Sequence, residues 1–234
     1  MIPVILLRNV SKDYRTDSVL VRALHDVNLE IPRGEFAVIL GPSGSGKTTL
    51  LNLLAGIDTP TSGGVTVDGE STQNLTPEAL TDFRRRKVGV VFQFFNLIPT
   101  LTALENVELV GELCGRAEES APLLREVGLE ERLQHFPSEL SGGEQQRVAI
   151  ARALVKNPAV VLGDEPTGNL DFETGRKILG LLRQINREQN ITVLLVTHNT
   201  AIAAMADRVI RLAGGTVSEV AENPAPLPVG AVKW

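Results

Sequence analysis

The sequence predicts an α/β fold in which a mainly parallel sheet is joined by a small antiparallel β subdomain and an inserted α-helical subdomain. Three observations lead to this prediction. Residues 35–56 read as an apolar strand, a glycine-rich loop and a helix. The continuous apolar runs 159–162 and 191–196 are typical of strands buried on both faces of a parallel sheet. Between residues 77 and 157 the apolar spacing is mostly helical, which indicates the insert.

The glycine-rich loop has the sequence GPSGSGKT and follows directly on the strand 35–40. A strand before such a loop and a helix after it are the context of a phosphate-binding loop. Glycines let successive backbone N–H groups converge on one anion, and the helix N-terminus adds partial positive charge. We expect Lys47 to reach the β- and γ-phosphates of a nucleotide and the Thr48 hydroxyl to ligate Mg²⁺. The predicted nucleotide-binding residues here are Gly41, Pro42, Ser43, Gly44, Ser45, Gly46, Lys47, Thr48 and Thr49.

The other elements follow from periodicity and from turn signals. The predicted strands are residues 4–10, 23–31, 35–40, 65–67, 88–92, 159–162 and 191–196. The predicted helices are residues 49–56, 101–107, 121–133, 147–155 and 172–189, with glycine stops at Gly115 and Gly128. The short strand 65–67, which ends in an Asp-Gly turn, predicts antiparallel pairing beside the parallel sheet.

We expect one domain over residues 1–221. Its catalytic core comprises about residues 1–87 and 158–221, and its helical subdomain about residues 88–157. Residues 222–234 contain three prolines and predict an extended tail, for which disorder and docking of Trp234 are the two alternatives.

Composition excludes several function classes. The chain has 234 residues, 43% of them hydrophobic, and a net charge of −5 with a pI near 5.3, so we expect no nucleic-acid partner. The basic cluster 84–87 is interpreted as a solvated helix face. Cys114 is the only cysteine, which fits a reducing compartment. The apolar run 2–7 does not resemble a signal peptide, and no run approaches the ~18 apolar residues of a membrane span, so we expect a soluble, cytoplasmic chain.

Two acids follow the apolar run 159–162, after Gly163. Asp164 and Glu165 therefore lie at the carboxyl end of a buried strand, the edge at which α/β sheets bind ligands. We assign Asp164 to Mg²⁺, and we expect Glu165 to orient or deprotonate an attacking water. The alternative interpretation is an acid pair at a helix start, because Pro166 and Thr167 follow.

A second glycine-containing motif, LSGGEQQ, begins at Leu140. Ser141 and Glu144 have the spacing of a capping box, so the motif can be an ordinary helix start. Gly142 and Gly143, however, leave the first amides uncovered, which predicts a second anion site. Two copies arranged head to tail would use both sites, with the phosphate loop of one copy facing the Ser-Gly-Gly of the other.

The ordered motifs resemble those of ATP-binding-cassette (ABC) ATPases, a branch of the P-loop NTPases, over about residues 3–218. They are the phosphate loop, Gln93 after a strand, LSGGEQQ, the strand ending in Asp-Glu-Pro, the segment 168–171 and the strand that ends at His198. The segments 92–107 and 165–171 are similar to the lipoprotein-release and macrolide-export branch.

The resemblance implies further roles. Tyr14 would stack on adenine, and a surface tyrosine is the alternative. Gln93 would touch Mg²⁺ and the lytic water, His198 would hydrogen-bond the γ-phosphate, and Asp171 would cross the interface between two copies. The nucleotide contacts of LSGGEQQ would come from Ser141, Gly142, Gly143 and Glu144. The groove that receives a helix of a permease would be lined by Phe94, Phe95 and Leu97, for which packing in the core is the alternative.

The sequence therefore predicts an ATPase subunit with ATP and Mg²⁺ as cofactors. Its expected partners are a second copy of itself and an integral-membrane permease at the inner face of the cell membrane, with export, lipoprotein extraction or force transmission as the output. One alternative is a soluble ABC-type ATPase acting on DNA, ribosomes or Fe–S assembly; the chain shows no coiled-coil insert, second cassette, basic patch or cysteine cluster. A P-loop kinase or GTPase is disfavoured because such enzymes lack LSGGEQQ.

Overall fold

The computed structural model describes residues 3–15 and 19–232, which form two sheets and six α-helices. Trp234, and with it the prediction that it docks, lies outside the described residues. The strands are β1 (Pro3–Arg15), β2 (Leu20–Pro32), β3 (Phe36–Leu40), β4 (Ser62–Val67), β5 (Glu70–Ser71), β6 (Val88–Phe92), β7 (Val160–Asp164), β8 (Thr192–Thr197), β9 (Arg208–Ala213) and β10 (Thr216–Glu222). The helices are α1 (Lys47–Leu54), α2 (Pro77–Lys87), α3 (Ala103–Cys114), α4 (Ser120–Glu126), α5 (Gly142–Leu154) and α6 (Phe172–Gln189).

The smaller sheet is antiparallel, with strand order β2-β1-β4-β5. It confirms the predicted β subdomain. Its apolar side chains share one core with α1, whose leucines Leu50, Leu51, Leu53 and Leu54 are all buried. Helix α1 therefore lies between this sheet and the larger one.

The larger sheet has six strands in the order β10-β9-β3-β8-β7-β6. All neighbouring pairs are parallel except β9 and β10. Strand β3 lies inside the sheet and is buried along its whole length, because one of its faces packs on the α1 side and the other on the α6 side. The carboxyl ends of β3, β7 and β8 consequently meet at one edge of the sheet, which confirms the predicted α/β class.

Helices α3, α4 and α5 enclose a core of their own, which includes Val107, Leu124 and Val148. Helix α3 begins at a capping box formed by Thr102 and Glu105 and ends at Gly115 in the left-handed conformation. The predicted helix 121–133 is shorter than expected. It ends at Glu126, because Gly128 is left-handed and the following residues form a short 3₁₀ turn.

Strand β6 pairs with β7 in the larger sheet. The predicted start of the helical subdomain at residue 88 is therefore too early, and the helical region follows Phe92. A continuous apolar run such as 88–92 is typical of a strand buried on both faces, but β6 lies at the edge of the sheet, where Val90 and Phe92 are only partly buried.

The hairpin of β9 and β10 was not among the predicted elements. The tail is not simply extended either, because the chain from Asn223 to Val232 folds back on the turn that follows His198. The Leu227 amide donates to the Ala204 carbonyl at 2.8 Å, and Val232 is 2% exposed in the core beside α6. Within the described ranges, no helix is both long enough and apolar enough to cross a bilayer.

Candidate nucleotide-binding and catalytic site

The predicted phosphate loop connects β3 to α1. Gly44 and Gly46 adopt positive φ angles of 76° and 98°, and Gly46 caps α1 without any side-chain hydrogen bond. A Cβ atom at Gly41 would lie 2.3 Å from the Leu212 carbonyl oxygen, and one at Gly46 would lie 2.5 Å from the Ala23 carbonyl oxygen. Carbonyl oxygens therefore pack closely against Gly41 and Gly46. The first amides of α1 have no side-chain cap and can bind an anion.

Two polar side chains of the loop lack an anionic partner. Lys47 Nζ donates to the carbonyl oxygens of Gly41 at 2.8 Å and Pro42 at 3.0 Å, so its charge is placed over the loop. The Ser45 hydroxyl is buried and has no hydrogen-bond partner among the described residues. An unsatisfied hydroxyl and an ammonium held by neutral carbonyls both favour a phosphate group at this loop.

Asp164 ends β7 beside the loop. Burial raises the pKa of this carboxyl, and its interaction with the Thr48 hydroxyl opposes the shift. Hydroxyl and carboxylate oxygens at this edge are the hard donors that Mg²⁺ prefers, so Thr48 and Asp164 fit a magnesium ion. Phe92 is the register partner of Asp164, which places Gln93 at the same edge.

Glu165 is held in an unusual backbone conformation with its carboxylate fully engaged. Its φ is 47°, the left-handed region that non-glycine residues rarely occupy. One carboxylate oxygen accepts from the His198 backbone N–H at 2.8 Å and lies 2.7 Å from His198 Nδ1, and the other accepts from the Thr197 hydroxyl at 2.8 Å. The structure therefore brings together Glu165, the predicted base, and His198, the predicted hydrogen-bond partner of the γ-phosphate. Strain of this kind is common at functional sites.

Gln93 pairs with the loop after β7. Its amide nitrogen donates to Asn169 Oδ1 at 3.0 Å, and Asn169 donates back to the Gln93 carbonyl at 3.0 Å. The 166–171 loop and the segment after β6 are thus joined directly.

Gln146 was not predicted as a site residue, although it stands in LSGGEQQ. It is completely buried, and its amide nitrogen donates to the Pro166 carbonyl at 2.6 Å. Its amide oxygen has no partner among the described residues. A glutamine on the otherwise apolar buried face of α5 was the available signal.

Ser141 caps α5 as predicted. Its hydroxyl accepts from the Glu144 amide at 3.3 Å, and the Glu144 carboxylate accepts from both the Ser141 amide and the Ser141 hydroxyl. Gly143 packs so closely on α6 that a Cβ atom would lie 2.4 Å from Thr174 Cγ2. Asp171 caps α6 by accepting from the Thr174 amide at 3.0 Å. Ser141 and Asp171 therefore have local roles as helix caps besides any contact with a second copy.

Tyr14 is brought next to the phosphate loop. Its hydroxyl donates to Asp58 at 2.9 Å and also interacts with Thr49 of α1. Lys12 Nζ lies 5.0 Å from the centre of the ring, and 39% of the residue is exposed. Burial, with the Asp58 hydrogen bond, raises the pKa of Tyr14. Asp58 and Lys12 were not anticipated, and no motif in the sequence identifies them.

Comparisons with known proteins agree with this geometry. A family model described as "ABC transporter" matches residues 24–168. The chain is 45% identical to an uncharacterized ABC transporter ATP-binding protein of Mycobacterium tuberculosis, covering 98% of this chain and 96% of the relative. It is 47% identical to the macrolide export ATP-binding/permease protein MacB of Rhodopirellula baltica, covering 92% of this chain and 32% of that protein.

A solved structure is also similar along nearly the whole chain. It is the dimeric post-hydrolysis state of the ATP-binding cassette MJ0796 bound to ADP and Pi, with a TM-score of 0.85 and 45% identity, covering 93% of this chain and 98% of that one. MJ0796 is a protein of Methanocaldococcus jannaschii. The resemblance seen in the motifs is confirmed by these matches, and the macrolide-export branch is represented among the relatives. The chain belongs to the ABC transporter family and is one of its ATP-binding ATPase cassettes.

Proposed function

We propose that two copies of this chain close head to tail around two ATP molecules and drive a separate membrane permease. The observation that carries the proposal is that one chain has two glycine-containing helix starts, at α1 and α5, in different parts of the fold. Helix α1 shares a core with the antiparallel sheet, whereas α5 contributes to the helical core and packs near α6. A second copy can supply the α5 site to the phosphate loop of the first. The dimeric state of the cassette MJ0796 supports this arrangement.

In the proposed site Lys47 and the loop amides bind the phosphates. Thr48, Asp164 and Gln93 would hold Mg²⁺, which when bound neutralises phosphate charge. Glu165 accepts a proton from the attacking water, because it is a carboxylate that follows directly on β7 at the edge where the phosphate loop lies. His198 leaves its contact with Glu165 and donates to the γ-phosphate, which frees the carboxylate for the water.

The Ser-Gly-Gly amides of the second copy complete the proposed site from the opposite side. Asp171 of each copy would lie at the interface. Fixed donors aimed at the phosphate in a site closed to water stabilise the developing charge. Closure of the dimer is then the output that the nucleotide drives.

The proposed membrane partner of this chain is a permease. The protein MacB is described as combining an ATP-binding part with a permease, and this chain matches only about a third of MacB. We propose that this chain lies at the inner face of the membrane, bound to a permease, and that the coupled process is export, lipoprotein extraction or force transmission.

The test is recovery of the partner. Tagged protein carrying Glu165→Gln is purified from the native cell in detergent with Mg-ATP, and co-purifying chains are identified by mass spectrometry. Stoichiometric recovery of a polytopic membrane protein is the expected result. Recovery of soluble nucleic-acid or ribosomal partners alone would contradict it and would support an ABC ATPase that acts without a permease.

Replacing Ser141 by arginine is expected to leave ATP binding intact and to prevent dimerisation. The long cation would occupy the space that the γ-phosphate of the other copy needs, and loss of the cap costs only about 1 kcal/mol of helix stability. Sedimentation with Mg-ATP measures the dimer, and nucleotide titration measures binding. Ser138→Arg, at an exposed serine three residues earlier, is the matched control. Unchanged turnover of Ser141→Arg would contradict the composite site.

Variants of Tyr14 test whether its ring stacks on adenine or has only a local role at the surface. If its ring stacks on adenine, Tyr14→Ala is expected to weaken ATP binding by about tenfold, because base–aromatic stacking contributes ~1–3 kcal/mol. Tyr14→Phe keeps the ring and loses the Asp58 hydrogen bond, so its affinity is expected to remain close to that of the original protein. Equal affinity of all three proteins would assign Tyr14 to the surface only.

A further inference from the structure

The tail that follows β10 is hydrogen-bonded to the 3₁₀ turn Thr200–Met205, which comes shortly after β8. The Asn223 side-chain nitrogen donates to the Ala204 carbonyl at 3.2 Å and to the Ala206 carbonyl at 3.0 Å. The Leu227 backbone N–H donates to the same Ala204 carbonyl at 2.8 Å. A short 3₁₀ turn leaves the carbonyls at its end without partners inside the turn, so the tail supplies donors that these carbonyls need.

Every polar atom of the Asn223 side chain is hydrogen-bonded. Its two amide hydrogens serve the two carbonyls of the turn, and its amide oxygen accepts from the Ala225 backbone N–H at 3.2 Å. Its own backbone N–H donates to the Asp207 carbonyl at 2.7 Å. The Asp207 carboxylate pairs with Arg183 of α6 at 2.5 Å and accepts from the Phe36 amide at 2.8 Å. Asn223 is therefore bound at the point where the turn, β3 and α6 meet.

Apolar contacts hold the far end of the tail. Val232 is 2% exposed and belongs to the same core as Ile202 and Met205 of the turn. Val229 is partly buried against this core. The tail and the buried side chains of the turn therefore pack as one unit.

The start of the same turn is hydrogen-bonded to the strand end that carries Thr197 and His198. The Asn199 side chain caps the turn by accepting from the Ala201 amide at 3.0 Å, and the Asn199 N–H donates to the Thr197 hydroxyl at 3.1 Å. That hydroxyl donates to one oxygen of the Glu165 carboxylate, and His198 lies against the other. A continuous path of hydrogen bonds and one short turn therefore connects the tail to this carboxylate.

We infer that Asn223 is a positioning residue for the Glu165–His198 pair, because it fixes the turn that follows His198. The inference rests on the proposed function, in which Glu165 is the base and His198 moves to the γ-phosphate. The imidazole of His198 is 74% exposed, so its position depends largely on the backbone that carries it. A small displacement of reacting groups lowers the rate strongly, whereas the affinity for ATP depends mainly on Lys47 and the loop amides.

Kinetics of Asn223→Asp test this role. Aspartate has the same shape, but it has no side-chain N–H to donate, and its carboxylate would face two carbonyl oxygens. We expect kcat to fall by about tenfold while the affinity for ATP stays within about twofold of the original. Asn74→Asp adds the same charge at an exposed asparagine after β5 and is the matched control. An unchanged kcat would overturn the inference, and so would a loss confined to the affinity for ATP.

Leu227→Pro is a second variant that leaves Asn223 in place and removes the other donor to the Ala204 carbonyl. The Leu227 residue is 47% exposed, so the lost backbone N–H is the main change. We expect kcat to fall by about threefold, with the affinity for ATP unchanged. Thermal unfolding of the same samples shows that both variants are folded at the assay temperature. Full turnover of folded Leu227→Pro would contradict the role assigned to the tail.

The imidazole signals of His198 in nuclear magnetic resonance give a readout that does not depend on activity. The chain has three histidines, and His198→Gln assigns these signals. We expect Asn223→Asp to move the His198 signals toward those in Glu165→Ala, which lacks the carboxylate, and to leave those of His25 and His135 unchanged. A merely structural tail would lower the unfolding temperature without moving the His198 signals, and that result would overturn the inference.

The results also separate this role of Asn223 from the proposed function. If Glu165→Gln blocks hydrolysis while Asn223→Asp leaves kcat and the His198 signals unchanged, only the inference about Asn223 fails. If Glu165→Gln hydrolyses ATP normally, the assignment of the base fails, and the positioning role fails with it.

Discussion

Glu165→Gln is expected to bind ATP, hydrolyse it at least about a hundredfold more slowly, and accumulate as a dimer. Glutamine has the same shape as glutamate. Its amide oxygen can still accept from the His198 amide, and its amide nitrogen can donate to the Thr197 hydroxyl, so the left-handed turn should survive. It cannot take a proton from water, and positioned general bases contribute about 10²–10⁴-fold to rate. With the chemical step blocked, the state with ATP bound persists.

Phosphate release and sedimentation at saturating Mg-ATP measure the two effects. Glu173→Gln is the matched control, because Glu173 is an exposed acid that pairs with Arg176 on α6. A variant that remains monomeric at saturating Mg-ATP would argue against the nucleotide-sandwich dimer. Normal turnover would remove Glu165 from the role of the base.

Lys47→Ala is expected to lose nucleotide binding by at least about a hundredfold. Its ammonium is the one charged side chain of the loop, and charge-assisted hydrogen bonds to phosphate are stronger than neutral ones. Among residues 3–15 and 19–232, the hydrogen bonds of this ammonium go only to the carbonyl oxygens of Gly41 and Pro42, so its loss should change stability little.

Calorimetric titration with ATP measures the affinity, and thermal unfolding of the same samples checks the fold. Lys177→Ala removes an exposed lysine from α6 and serves as the control. Near-normal affinity of Lys47→Ala in a folded protein would overturn the assignment of the phosphate loop.

Much of the fold can be predicted because the local sequence pattern of these elements matches the environment that each element occupies in the fold. The apolar run before the glycine loop is a fully buried strand, and the amphipathic stretch 172–189 is a helix with the predicted bounds. The β9–β10 hairpin could have been recognised by its Gly214-Gly215 turn, where both residues have positive φ. The packing of the tail could not be recognised, because Leu227 and Val232 are anchored by residues far away in the sequence.

The site shows the same limit. Sequence spacing places Glu165 and His198 at neighbouring strand ends, and parallel pairing of β7 with β8 brings those ends together. The spacing does not predict that Glu165 and His198 contact each other. That contact depends on the left-handed φ of Glu165, a conformation in which glycine would be expected from residue type alone. Gln93 likewise pairs with Asn169, which lies 76 positions along the chain.

Gln146 joins the helix that begins with Ser-Gly-Gly to the loop that follows Glu165 in the same chain. In a head-to-tail dimer the helix start would serve one nucleotide and the glutamate the other. A displacement at one nucleotide site would therefore be transmitted to the other site through the buried amide of Gln146. The two nucleotide sites of such a dimer would then be coupled, and saturation by ATP would be sigmoidal rather than hyperbolic.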